Sequence, residues 1–244
     1  MATPMTSSDR ASSERRFFTG IALAILATVV VGFSRSFFLR PLFPDWPSPS
    51  ETIFYVHGAA FSAWIALLVA QTSLVAGQRT DLHRKIGPYG AALAVAMVVL
   101  GTVGGLVAAR RATGFTEVPI PPLQFLAIPI FDMILFAAFV WLAIAQRRNP
   151  QTHKRWMLLA TVNLVTAAIA RWPGVLTLGP LAFFGITDLF VIALAIWDFR
   201  ARGRLHPVTL FGGLLIIVSQ PLRLVVSSTQ GWLVLARWAT GLLG

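Results

Sequence analysis

Residues 123–145 read LQFLAIPIFDMILFAAFVWLAIA, a stretch of 23 positions in which the one charge is Asp132. At a rise of about 1.5 Å per residue a helix of that length covers about 35 Å. A hydrocarbon slab about 30 Å thick requires roughly 20 apolar residues per crossing. A helix on the surface of a soluble protein would show polar positions every three or four residues, and this stretch lacks that striping. It reads as a membrane span. Working outward, comparable stretches occur at residues 17–34, 53–77, 89–109, 156–171, 180–197 and 208–228. Together they predict an all-α, polytopic membrane protein with about seven transmembrane helices in one bundle over residues 15–244. Residues 1–14 are polar and Ser/Thr-rich and are expected to form a disordered tail. Residues 232–243 are too short to span and are expected at the interface. Proline-rich loops are expected at 41–49 and 110–122, and Pro173 and Pro221 are expected to end or kink their helices.

Composition agrees. Charged residues are 12 % of the chain, apolar ones 56 %, and mean hydropathy is +0.74, whereas a soluble domain carries roughly a quarter charged residues. With no cysteine, there is no disulfide framework and no thiolate site. The net charge of +11 does not point to nucleic acid, because the basic residues cluster at span ends, where they orient helices. With the N-terminus placed in the cytoplasm, Arg10, Arg15, Arg16, Arg79, Arg84, Lys85, Arg147, Arg148, Lys154, Arg155, Arg200, Arg202 and Arg204 all fall inside. They are thirteen of the 20 basic residues. Trp141, Trp156, Trp172, Trp197 and Trp232 fall near predicted span ends, as an interfacial belt requires. The C-terminus is then expected outside, and the location is the inner membrane of a bacterium, with the lipid bilayer as the first partner.

Ionisable residues within spans are expensive and therefore informative. Asp132, Asp188, Arg171 and Arg223 all map to the outer half, with His57 one turn into the second span, followed at seven-residue spacing by Trp64 and Gln71. Left alone near the helix centre, each charge would cost at least about 2.5–3.5 kcal/mol. Pairing inside the bundle is expected, Asp188 with Arg223 or Arg171 and Asp132 with the other arginine. Such an intramembrane polar cluster serves either as glue between helices or as a ligand or proton site.

The remaining histidines open three spans on the inner side: His83 before the third, His153 before the fifth and His206 before the seventh. Imidazoles ligate haem iron, copper or zinc, so these three are the candidate metal ligands, with haem or a metal ion as the candidate cofactor. The alternative is that histidines with basic neighbours contact lipid phosphates.

The motifs Tyr55-Val56-His57-Gly58, Leu82-His83-Arg84-Lys85-Ile86-Gly87 and His153-Lys154-Arg155-Trp156-Met157, with Trp64 and Gln71, resemble a widespread bacterial group of uncharacterised multi-pass membrane proteins. More distantly, the pattern of a histidine in one span, a His-Arg-x-x-Gly turn and a His-x-x-x-Met turn is similar to two broader sets, the DUF2306 and DUF420 membrane proteins. The second of these is implicated in assembly of haem-copper oxidases. The resemblance covers roughly residues 55–171. It implies haem or respiratory-chain work, with respiratory-chain membrane proteins as partners, and assigns no ligand residue.

Several activities lack their signatures. There is no glycine-rich phosphate loop. The two lysines, Lys85 and Lys154, lie at the inner interface, so no retinal Schiff base forms in the last span. A single outer histidine does not make an intramembrane zinc hydrolase. Gly101-Thr102-Val103-Gly104-Gly105 contains Gly-x-x-x-Gly, a close-packing signal. No catalytic residue is assigned. The leading functional expectation is a membrane protein that binds a small ligand or cofactor, haem or quinone, connected to respiration or its assembly. The alternatives are a transporter or proton pathway through the outer Asp/Arg/His cluster, and a structural subunit without a ligand.

Overall fold

The computed structural model describes residues 7–47, 51–111, 114–115 and 120–242. Its long helices are α1 (Ser7–Phe33), α2 (Thr52–Ala76), α3 (Thr80–Arg110), then a single turn α4 (Pro122–Phe125) leading into α5 (Ala127–Ala145). They are followed by α6 (Pro150–Ile169), α7 (Pro180–Arg202), α8 (Pro207–Ser227) and the short α9 (Gln230–Gly241). No strand occurs among the described residues. The chain is an all-α, multi-pass membrane protein: among the described residues six helices are long and apolar enough to cross a bilayer.

The seventh long helix, α6, falls short of that apolarity, and its position explains why. It packs against α1, α5, α7 and α8, and its second half, Leu158 to Ile169, is mostly buried. Protein rather than lipid surrounds it, so its polar groups find partners instead of meeting hydrocarbon. The Trp64 indole donates to Thr161 Oγ1 at 3.1 Å, Asn163 Nδ2 donates to the Asp132 carbonyl at 2.9 Å, and the Thr166 and Thr187 hydroxyls bond at 3.0 Å. The lipid-facing surface is the reverse, with Val95, Ile134, Leu189, Phe211 and Val218 all exposed.

Local chemistry sets the helix starts. Asn149 caps α6, its side chain accepting from the Gln151 and Thr152 amides, with Pro150 in the first turn, where a missing N–H costs nothing. His206 and Pro207 do the same for α8. Two boundaries differ from expectation. Residues 7–14, expected in the disordered tail, form the first turns of α1, because Glu14 pairs with Lys154 and accepts from Gln151 Nε2 at 3.2 Å. Residues 1–6 lie outside the described residues. Helix α3 begins at Thr80 rather than near residue 89 and passes through Pro88.

The bundle has a near end, where α1, α3, α6 and α8 begin, and a far end, where they finish. The final segment does not cross. Helix α9 folds back against α3, α4 and α8, anchored by the Trp232 indole, which donates to the Leu123 carbonyl at 2.7 Å.

Candidate functional site

At the far end α1 does not stop cleanly. It widens into a five-residue π-helical turn, Ser34–Phe38, a distortion found frequently at functional sites. That turn, with α2, α3, α5 and α6, encloses a cavity of about 400 Å³. Glycine makes room for it. A side chain at Gly101 would collide with Met133 Sδ at 2.3 Å, whereas one at Gly104 would begin 3.7 Å from His57 Nδ1. The Gly-x-x-x-Gly segment therefore both brings α3 against α5 and forms the cavity wall beside His57.

His57 lines this cavity with Ser62, Trp64, Met97, Asp132 and Met133. Its ring stacks on Phe61 at 4.0 Å between centroids. The Leu100 backbone of α3 lies within reach of the ring for a weak hydrogen bond, and Nδ1 is buried without a well-formed one. A buried polar atom left in that state needs an explanation.

The expected cluster is partly assembled. Arg223 on α8 reaches Asp132 on α5, Nη1 to Oδ1 at 2.5 Å, and also donates to the Ser219 hydroxyl at 3.0 Å. Arg223 is 1 % exposed. Asp188 has a different partner from the expected arginine: it accepts from Gln220 Nε2 at 2.8 Å. One helix thus serves two neighbours, Gln220 facing α7 and Arg223 facing α5. Arg171 is exposed at the end of α6, donates to the Ala167 carbonyl at 2.7 Å and lies over the Phe33 ring.

The structure brings His83 and His153 together at the near end, with ring centroids 6.2 Å apart. His153 Nδ1 donates to the Ala143 carbonyl at 2.9 Å, and His83 Nδ1 is buried without a partner. His206 is engaged in capping α8, its Nδ1 accepting from the Val208 amide at 3.1 Å. Among the described residues no group of three His, Asp or Glu side chains is arranged to hold a metal ion.

Sequence reading missed the most buried ion pair. Arg155 on α6 and Asp198 on α7 are both completely buried and bonded to each other. Arg155 also donates to the Gln151 carbonyl and side-chain oxygens at 2.8 Å. Asp198 accepts from the His206 amide at 3.2 Å and from the Thr209 hydroxyl. These bonds make it a clamp joining α6, α7 and α8 rather than a reactive centre. Comparison with known protein families, curated proteins and solved structures finds no match to this chain.

Proposed function

We propose that the protein holds a small amphipathic ligand or cofactor inside the membrane, in the far-end cavity beside His57. The observation that carries it is a cavity of about 400 Å³ lined by His57, whose buried Nδ1 has no well-formed hydrogen bond. That volume lies in the range of small-molecule sites, which are mostly apolar with a few placed polar groups. Quinone suits an apolar slot with a hydrogen-bonding imidazole. Haem suits the donor set, since His57, Met97 and Met133 line the same space and haem iron takes imidazole and thioether ligands. Bound haem would supply electron transfer, which agrees with the respiratory link implied by the resemblance, in the inner membrane of a bacterium.

The test is direct. Protein purified in dodecyl maltoside is titrated with decylubiquinone and, separately, with haem, following tryptophan emission and the visible spectrum. One of the two is expected to quench emission saturably or give a Soret band, and His57→Leu is expected to weaken binding about tenfold, the worth of one good hydrogen bond. A colourless protein indifferent to both overturns the assignment. A second reading is a proton pathway, favoured by Asp132, which both lines the cavity and pairs with Arg223. It would show as proton flux in liposomes that Asp132→Asn abolishes.

A further inference from the structure

The two histidines that meet at the near end do not line the cavity beside His57. Each is the fourth residue of its helix, His83 in α3 and His153 in α6. Their rings lie with centroids 6.2 Å apart and planes at 82°. The ring nitrogens are prepared in different ways. His153 Nδ1 donates to the Ala143 carbonyl at 2.9 Å, which fixes the tautomer and leaves Nε2 as the lone-pair side of the ring. His83 Nδ1 is buried and makes no hydrogen bond among the described residues. Gln71 of α2 holds the His83 backbone, its Nε2 donating to the His83 carbonyl at 3.3 Å, while its own Oε1 is buried without a bond.

Spacing and charge narrow what the two rings share. An ion bonded to a ring nitrogen at about 2.0 Å lies about 3.1 Å from that ring's centroid. Two imidazoles opposite one another across a single ion therefore have centroids about 6.2 Å apart at any angle between their planes, against about 5 Å at the tetrahedral angle. The observed separation is that of the linear arrangement. Both donors are neutral, and three carboxylates at this end are already engaged: Glu14 with Lys154, Asp81 with Arg79 and Asp198 with Arg155. None of the three is left to offset a second positive charge, and Arg84 and Lys85 follow His83 directly.

We infer that His83 Nδ1 and His153 Nε2 hold a monovalent metal ion, copper(I), in linear two-coordinate geometry. Imidazole is a good ligand for copper, and a monocation on two neutral donors suits these basic surroundings better than zinc, which takes four ligands in a closed tetrahedral site. His206, engaged in capping α8, is not a ligand. The site is separate from the cavity beside His57 and does not rest on the function proposed there.

The experiment titrates the full chain, purified anaerobically in dodecyl maltoside, with copper(I) against bicinchoninate and with zinc against a chromogenic chelator. X-ray absorption is then recorded on the copper-loaded native protein. One copper(I) per chain is expected, with two nitrogen ligands at about 2 Å, held more tightly than zinc. His83→Gln and His153→Gln are each expected to weaken copper(I) binding at least about tenfold, and His206→Asn to leave it unchanged. Sulfur in the copper shell places the ion at Met97 and Met133 of the cavity and overturns this site. Tighter binding of zinc overturns the linear monovalent geometry. No bound metal, or copper(I) binding that survives both substitutions, leaves the two nitrogens to bridging water and overturns the site outright. A Soret band on adding haem that either substitution removes gives the pair to haem iron instead. Because the absorption spectrum is read on the native chain, the outcome does not depend on the variants folding.

Discussion

Asp132 and Arg223 show what one buried pair demands of its neighbours. Arg223 has Asp132 at 2.5 Å, and Ser219 takes a second bond. Removing one partner leaves the other charge in a low-dielectric interior, which typically costs about 3–5 kcal/mol, whereas removing both leaves nothing uncompensated. Asp132→Asn and Arg223→Gln are therefore each expected to lower the melting temperature in detergent, and the double variant to recover most of the loss. Additive losses in the double variant would contradict the pairing. His206 gives a pH-dependent counterpart outside the spans. Its pKa is lowered from 6.5 to about 4, by burial first and then by the charges of Arg155 and Arg202, against an opposing pull from Asp198. A neutral imidazole is thus the native form. Protonation favours the unfolded chain, so stability is full above about pH 6.5, declines toward about pH 4, and loses no more from this group below that. His206→Asn keeps a capping side chain and is expected to flatten that part of the melting profile. Parallel profiles for wild type and variant would refute the assignment.

At the scale of elements, close approach rather than apolarity decides which helices touch. Helices in lipid gain little from hiding apolar surface and associate through packing and hydrogen bonds, for which small residues are suited. Gly32 on α1 is the tightest such point: an added Cβ would sit 2.2 Å from the Ala168 carbonyl oxygen of α6. Backbone cannot swing aside as a side chain can. Gly32→Ala is expected to push α1 off α6, stretch the Trp172 indole bond to the Thr28 carbonyl, 3.2 Å in the native protein, and cost about 1–3 kcal/mol or more. Gly20→Ala on the same helix meets nothing within 4 Å and should leave the melting temperature unchanged or slightly raised, since alanine is the better helix former. Equal effects at the two positions would show that α1 is not held against α6 there. The same reasoning applies to α6 itself, whose threonines and asparagine are tolerated because four helices surround it.

For the whole molecule, seven crossings with the N-terminus inside, the topology that the basic clusters predict, would put the two ends of the chain on opposite faces. A reporter fused after Gly244 is expected to be active outside and one inserted in residues 146–152 inside. Activity of both on one side would refute seven crossings. Much of this was legible from the amino-acid order. Each span must satisfy its own backbone within hydrocarbon, so apolar length located seven candidate spans, six of which are long, apolar helices in the structure, and a charge within such a stretch stood out, which is how His57, Asp132, Arg171, Asp188 and Arg223 were found. Arg155 and Asp198 were not, because they sit at helix ends where charge is ordinary; Asp198 looks like a solvated neighbour of Arg200 and Arg202 until its complete burial is seen. Tertiary structure alone chose the partners, giving Asp132 to Arg223 and Asp188 to Gln220. It also set α6 at the centre and left a cavity beside His57. Crossing the membrane is a property of one segment at a time. Which polar groups meet depends on how each helix is turned about its axis and on the small residues that let its neighbours approach, and no single stretch of sequence encodes that.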